Sequence, residues 1–211
     1  MPHRPPHGSS LILLTLGLSL GTFMQVLDSS IANVSLPHIS GDLAVSPNQG
    51  TWVITSFGVS NAIALPLTGW LTRRFGDVRL FVASTLLFTL ASWLCGLAPS
   101  LPLLIAARVL QGAVAGPMIP LSQSLLLANY PPEKKGLALA LWSTTVIVAP
   151  ILGPILGGWI TDNISWPWIF YINLPFGLLS AFLTWTLLGR RSRATRSEPI
   201  DKVRPFLLVV V

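Results

Sequence analysis

Charge is what this sequence most lacks. Only 9% of its 211 residues are Asp, Glu, Lys or Arg, against about 25% in a soluble domain. With 52% of residues hydrophobic, too little polar surface remains to cover a water-soluble globule. Cysteine is nearly absent, and the single Cys95 excludes an internal disulfide. There is no HExxH and no GxSxG, and His3, His7 and His38 fall at terminal or loop positions. Neither an intramembrane enzyme nor a metal site is expected. Lys and Arg are missing altogether from three connecting segments, PHISGDLAVSPNQG, APSLP and TDNISWPW.

What fills the chain is apolar runs, each near the roughly 20 residues that cross a bilayer. They cover residues 11–34, 51–72, 80–97, 103–127, 137–160 and 169–188, here spans 1 to 6. The pattern predicts an all-α membrane protein with no room for a soluble domain. Residues 1–10 read as a cytoplasmic tail, 11–188 as a six-helix transmembrane bundle, 189–205 as a basic cytoplasmic loop and 206–211 as the start of a seventh helix. The segment after MPHRPPHGSS is too long for the apolar region of a signal peptide and lacks a cleavage site. It is expected to act as its own membrane signal.

The basic residues set the expected orientation. Twelve of the 13 fall on one side: Arg4, Arg73, Arg74 and Arg79 after span 2, Lys134 and Lys135 after span 4, and six after span 6. By the positive-inside rule that side is cytoplasmic, and with it the N-terminus. The same asymmetry accounts for the net charge of +6 without a nucleic-acid partner. Trp159, Trp166, Trp168 and Tyr171 fall at the opposite ends of spans 5 and 6, where an aromatic belt is expected.

The thirteenth basic residue, Arg108, lies inside span 4, and Asp28 lies inside span 1. A charge at membrane depth is costly, so intramembrane ionisable residues are functional candidates by default. Both sit about six residues from the outer end of their span, roughly 9 Å deep at 1.5 Å per residue. At about 100° per residue, Asp28 shares a face with Gly17, Gly21, Met24, Gln25 and Ala32. Small residues on that face let another helix approach, so it should look into the protein. The plainer alternatives are a signal anchor with one tolerated acid, and an Arg108 that snorkels to the outer headgroups.

Span 4 also carries Gly112 and Gly116 as a GxxxG pair, Pro117 and Pro120 as interruptions, and Gln111 and Ser122 near the Arg108 side. Gly/Pro-broken helices at corresponding places in two repeats point to a transporter site, with spans 1 and 4 each heading a triplet of three helices. Span 5, VIVAPILGPILGGWI, holds Pro150, Gly153, Pro154, Gly157 and Gly158. That composition predicts a close-packed, bendable helix serving in packing or gating.

Four segments in order carry a family resemblance: LDSSIANVSLP on span 1, GWLTRRFGDVRLF at residues 69–81, LIAARVLQGAVAG at 104–116, and APILGPILGGWI at 149–160. The chain resembles the major facilitator superfamily, and most closely its fourteen-helix drug:proton antiporters of the EmrB/QacA type. QGTWVITSFGVSNAIALPLTGW and NYPPEKKGLALALW add to that likeness. The signature loop departs from the usual pattern, with Arg73 where an acid is usual and Asp77 where a base is usual.

The resemblance implies the N-terminal part of a proton-coupled exporter of amphipathic drugs, with no cofactor beyond the proton. It implies Asp28 and Arg108 for proton coupling, and Met24, Gln25, Gln111 and Ser122 for the substrate cavity. Gly69, Arg73, Arg74, Gly76, Asp77, Arg79, Gly112, Gly116, Pro150, Gly153, Pro154, Gly157 and Gly158 would serve in gating or packing. The implied setting is a bacterial inner membrane, with a C-terminal half, a periplasmic adaptor and an outer-membrane channel as expected partners. Two other readings stand beside it: a truncated, non-transporting membrane module, and a carrier of the same superfamily for another small solute.

Overall fold

The computed structural model describes residues 9–189. The expectations for the tail before Ser9, for the basic loop from residue 190 onward and for the seventh helix lie outside the described residues. Span 1 is Ser9–Asp42, span 2 Pro47–Phe75, span 3 Asp77–Gly96, span 4 Leu101–Asn129, span 5 Pro132–Asn163 and span 6 Trp168–Leu188. All six are long and apolar enough to cross a membrane.

A few residues set the helix ends. Ser46 caps the start of span 2: its hydroxyl accepts from Gln49 N–H at 3.3 Å, and the Gln49 side chain accepts from Ser46 N–H at 3.0 Å. Pro47 follows at the first helical position, where no N–H is needed. Gly76 ends span 2 and opens span 3 at φ 81° and ψ 149°, a conformation in which a Cβ is strained. Asp77 then occupies the first turn of span 3, where an acid meets the positive end of the helix dipole.

The prolines behave differently from one another. Span 1 continues through Pro37 to Asp42, eight residues beyond the expected end. Span 4 breaks at Gly116 and Pro117, but Pro120 sits in the first turn of the helix Met118–Asn129 and interrupts nothing. In span 5, Pro150 and Pro154 lie inside one helix, Lys135–Asn163. Pro154 has no N–H to offer the carbonyl four residues earlier, that of Pro150. The Ser30 hydroxyl of span 1 donates to that carbonyl instead, at 3.1 Å. A neighbouring helix replaces the missing bond, as it must in a membrane.

Span 1 packs on spans 5 and 6, span 4 packs on spans 2 and 3, and spans 3 and 6 pack on each other. Shifting every span number by three returns the same set of pairs. Successive spans run in opposite directions, so the two triplets are inverted repeats. Each expected small-residue pair closes one of these contacts. Gly17 and Gly21 meet Thr184 and Ser180 of span 6. Gly112 and Gly116 meet Phe57 and Ala64 of span 2, and Gly153 and Gly157 meet Ser30 and Ile31 of span 1. Spans 2 and 5 keep most of their surface exposed, whereas spans 1, 3 and 4 are half buried or more. Of the four expected belt aromatics, Trp159 and Trp168 are 59% and 52% exposed. Trp166 instead packs edge-on against Phe170 at 6.2 Å and is 6% exposed, a core residue.

Candidate functional site

Asp28 and Arg108 meet. Arg108 Nη1 donates to Asp28 Oδ2 at 2.5 Å, with Arg108 at 0% and Asp28 at 2% exposure. Snorkelling is therefore excluded. The Gly17–Gly21 face brings Asp28 inward, and the approach of Gly112 to span 2 seats Arg108 beside Phe57 and Val53.

The pair is only the centre of the cluster. Arg108 Nε donates to the Val53 carbonyl of span 2 at 3.1 Å, and its guanidinium lies 4.2 Å from the Phe57 ring centroid. The Phe170 ring of span 6 lies 5.7 Å away on another side. Gln111, three residues further along span 4, accepts from Arg108 Nη1 at 2.7 Å and donates to Asp28 Oδ1 at 3.1 Å. The same Gln111 oxygen accepts from the Cys95 thiol of span 3 at 3.5 Å. Asn173 of span 6 donates to Asp28 Oδ1 at 2.7 Å and to Ser92 Oγ of span 3 at 2.9 Å. Ser92 donates to the Phe170 carbonyl at 2.9 Å. Five of the six spans thus contribute to one dry polar knot.

Such a pair adds little net stability. Desolvating two charges costs several kcal/mol each, roughly matching their attraction. Removing either partner leaves an uncompensated charge and costs about 3–5 kcal/mol. The two charges are not equally dependent on each other, however. Without Asp28, Arg108 keeps the Val53 carbonyl, the Gln111 oxygen and two aromatic faces. Among the described residues Arg108 is the cation paired with Asp28, whose other bonds are to neutral amides.

The remaining expected site residues divide. Gln111 joins the knot. Met24 is fully buried among Phe57, Phe88, Ala115 and Met118. Gln25 is buried with its side-chain oxygen unpaired, and it borders a cavity of about 340 Å³ lined also by Gly58, Asn61, Leu65, Gly116 and Ile119. Ser122 is not near Arg108. It bonds Thr22 of span 1 at 2.8 Å and accepts from the Trp142 indole N–H of span 5 at 3.0 Å, forming a second buried node.

In the loop segment Arg74 stacks near Trp70 and Phe75, 5.8 Å from each ring. Arg73 and Arg79 are exposed, and Arg79 lines a mostly apolar groove of about 560 Å³ between spans 3 and 6. A Cβ on Gly69 would meet only the Arg73 guanidinium at 3.9 Å, and one on Gly158 would meet nothing within 4 Å. Those two glycines do not mediate close packing in this bundle.

Asn173, Ser92, Cys95, Val53 and Trp142 are not among the residues expected from sequence. A signal for two of them was present. Asn173 and Ser92 lie a few residues from the ends of spans 6 and 3, at the same depth as Asp28 and Arg108.

The sequence and the helix arrangement can now be set beside known proteins. The Major Facilitator Superfamily family model matches residues 18–209. The chain belongs to the Major Facilitator Superfamily. This is a family of transporters, not of enzymes. The chain is 66% identical over 206 residues to the multidrug export protein EmrB of Haemophilus influenzae, covering 98% of this chain and 40% of that protein. It is 61% identical over 208 residues to EmrB of Escherichia coli K12, again covering 98% and 40%. It is 56% identical over 210 residues to the fatty acid resistance protein FarB of Neisseria gonorrhoeae, covering 100% and 41%. The chain thus spans about 40% of the length of these relatives. Two solved transporters share the fold. The proton:xylose symporter XylE superposes with TM-score 0.75 at 17% identity, over 88% of this chain and 48% of that one. The peptide transporter POT superposes with TM-score 0.77 at 14% identity, over 98% and 45%.

Proposed function

We propose that this superfamily chain is the N-terminal bundle of a proton-coupled exporter of amphipathic compounds, with Asp28 as the proton carrier. The observation that carries the reading is the Asp28–Arg108 pair, fully buried and held by donors from spans 4 and 6. The relatives, multidrug export and fatty acid resistance proteins by name, favour amphipathic cargo. The cavity beside Gln25 and Asn61 mixes amide groups with Leu65 and Ile119, a lining suited to a molecule with a polar and an apolar part.

In this reading a proton taken up from the exterior neutralises Asp28 and releases its attraction to Arg108. The neutral acid crosses the closed intermediate without the cost of moving an unpaired anion. Once the proton leaves on the cytoplasmic side, a cationic or amphipathic molecule competes for the carboxylate. Coupling follows because Asp28 serves proton or cargo, not both. The setting is a bacterial inner membrane with the N-terminus cytoplasmic. The exposed faces of spans 2 and 5 are turned to a second bundle that completes the cavity. A periplasmic adaptor and an outer-membrane channel would extend the export path.

The test is Asp28→Asn in a complete transporter carrying this sequence, reconstituted in vesicles with an imposed proton gradient. Uphill export is expected to vanish while the protein still folds and retains some cargo binding. Undiminished gradient-driven export by Asp28→Asn would return Asp28 to a structural role.

A further inference from the structure

A carboxylate and a carboxylic acid need different partners. The carboxylate only accepts hydrogen bonds, and the acid must also donate one. Around Asp28 the donors are plentiful: Arg108, Gln111 and Asn173. Acceptors for a new O–H are scarce. Arg108 has none. The Gln111 oxygen already receives Arg108 Nη1 and the Cys95 thiol. Among the described residues that bond to Asp28, the one with a buried, unpaired side-chain oxygen is Asn173, at Oδ1; Gln25 Oε1, one turn earlier on span 1, is also unpaired but its side chain makes no bond to Asp28. A buried acceptor left unmade is costly, so this orphan calls for a use.

Half a turn of the Asn173 amide about its last torsion exchanges Oδ1 and Nδ2. Oδ1 then takes the place now held by Nδ2, 2.7 Å from Asp28 and 2.9 Å from Ser92 Oγ. It can accept from the Asp28 O–H there. The Ser92 hydroxyl, now donating to the Phe170 carbonyl, is free to rotate and donate to Asn173 instead. No atom is gained apart from the proton. The charged or titratable side chains facing this group are Arg108 of span 4 and, through Gln111, Cys95 of span 3. The contributions of spans 2 and 6 are a backbone carbonyl and an amide.

We propose that Asn173 is the reversible partner of Asp28, donating to the carboxylate and accepting from the acid, and that Ser92 passes this reversal to the junction of spans 3 and 6. The proposal rests on the proton-carrier reading of Asp28. It adds a route by which protonation at span 1 weakens the Ser92–Phe170 bond that ties span 3 to the start of span 6. Asn173 is a positioning residue in this scheme and touches no cargo.

The test uses infrared difference spectra, acid minus neutral, of the complete transporter carrying this sequence in lipid vesicles. A carboxylic-acid C=O band that disappears in Asp28→Asn identifies protonated Asp28. In Asn173→Leu that band is expected to move to higher frequency, because the acid has lost its acceptor. An unmoved band in Asn173→Leu overturns the role of Asn173 and leaves the proton reading intact. If no band is sensitive to Asp28→Asn, the proton reading fails and the proposal falls with it. Ser92→Ala removes a single oxygen and covers the case in which Asn173→Leu does not fold. Its ratio of uphill to downhill transport is expected to drop about tenfold, the worth of one buried hydrogen bond. An unchanged ratio overturns the relay through Ser92.

Discussion

Arg108 has more partners than a lone ion pair would give it. Its Nε reaches a backbone carbonyl, its Nη1 is shared by Asp28 and Gln111, and a ring covers one face. Its Nη2 has no acceptor among the described residues. Removing it alone strands a buried carboxylate, so Arg108→Met is expected to destabilise the protein by about 3–5 kcal/mol. Asp28→Leu combined with Arg108→Met is expected to recover most of that loss, because apolar replacements of a buried pair are often neutral. Thermal unfolding of the purified protein in detergent measures both. A double variant as unstable as Arg108→Met alone would mean that the knot is needed for folding itself. In a complete transporter the double variant is expected to fold and not to transport.

At the scale of the helix, span 5 shows how one motif contains unequal glycines. A Cβ on Gly153 would collide with Ser30, and Ser30 is also the donor that satisfies the Pro150 carbonyl. A Cβ on Gly157 would make ordinary contacts at 3.4 Å with Ile31 and Ser35. Gly158 faces open space. Gly153→Ala is therefore expected to cost about 1–3 kcal/mol through overpacking, while Gly158→Ala stays within about 0.5 kcal/mol. Gly157→Leu, with far more bulk, is expected to impair assembly more than Leu156→Ala. Membrane abundance and unfolding temperature of the variants check the order, and equal tolerance of Gly153→Ala and Gly158→Ala would remove the basis for it. Gly76 is a separate case: its φ of 81° makes Gly76→Val strained whatever the space around it.

At the scale of the whole bundle, the asymmetry of basic residues predicts a topology that labelling can test. Single cysteines at Lys134, Asp42 and Asp162 in a Cys95→Ala background are expected to react with an impermeant maleimide from outside only at the two aspartate positions. Labelling at Lys134 but not at Asp42 would invert the orientation. His38 Nε2 lies 3.3 Å from Asp162 Oδ1, so this pair ties the ends of spans 1 and 5 together on the side expected to face outward. The contact lies between exposed side chains and adds about 0–1 kcal/mol.

Composition and charge placement by themselves determined the six membrane-length helices of the described residues and marked Asp28 and Arg108 as charges inside spans, while the burial of Arg108 was decided by the fold. Hydropathy is a local sum, and a carboxylate within an apolar run is visible without a fold. The inward direction of Asp28 was also legible, because 100° per residue puts Gly17, Gly21 and Asp28 on one line. Packing between helices was not. Ser122 lies on the same span as Arg108 yet belongs to the Thr22–Trp142 node, since the break at Gly116 and Pro117 puts the two residues on separate helices. The prolines of span 5 read as marks of a bendable, close-packed helix, and only the tertiary structure shows Ser30 bonding the Pro150 carbonyl. Asn173 and Ser92 carry no charge, so along the chain only their depth, matching that of Asp28 and Arg108, marks them, and depth does not say what they touch. Only the meeting of spans 1, 3 and 6 makes them partners of Asp28, because a hydrogen bond depends on distances between segments that the order of residues does not contain.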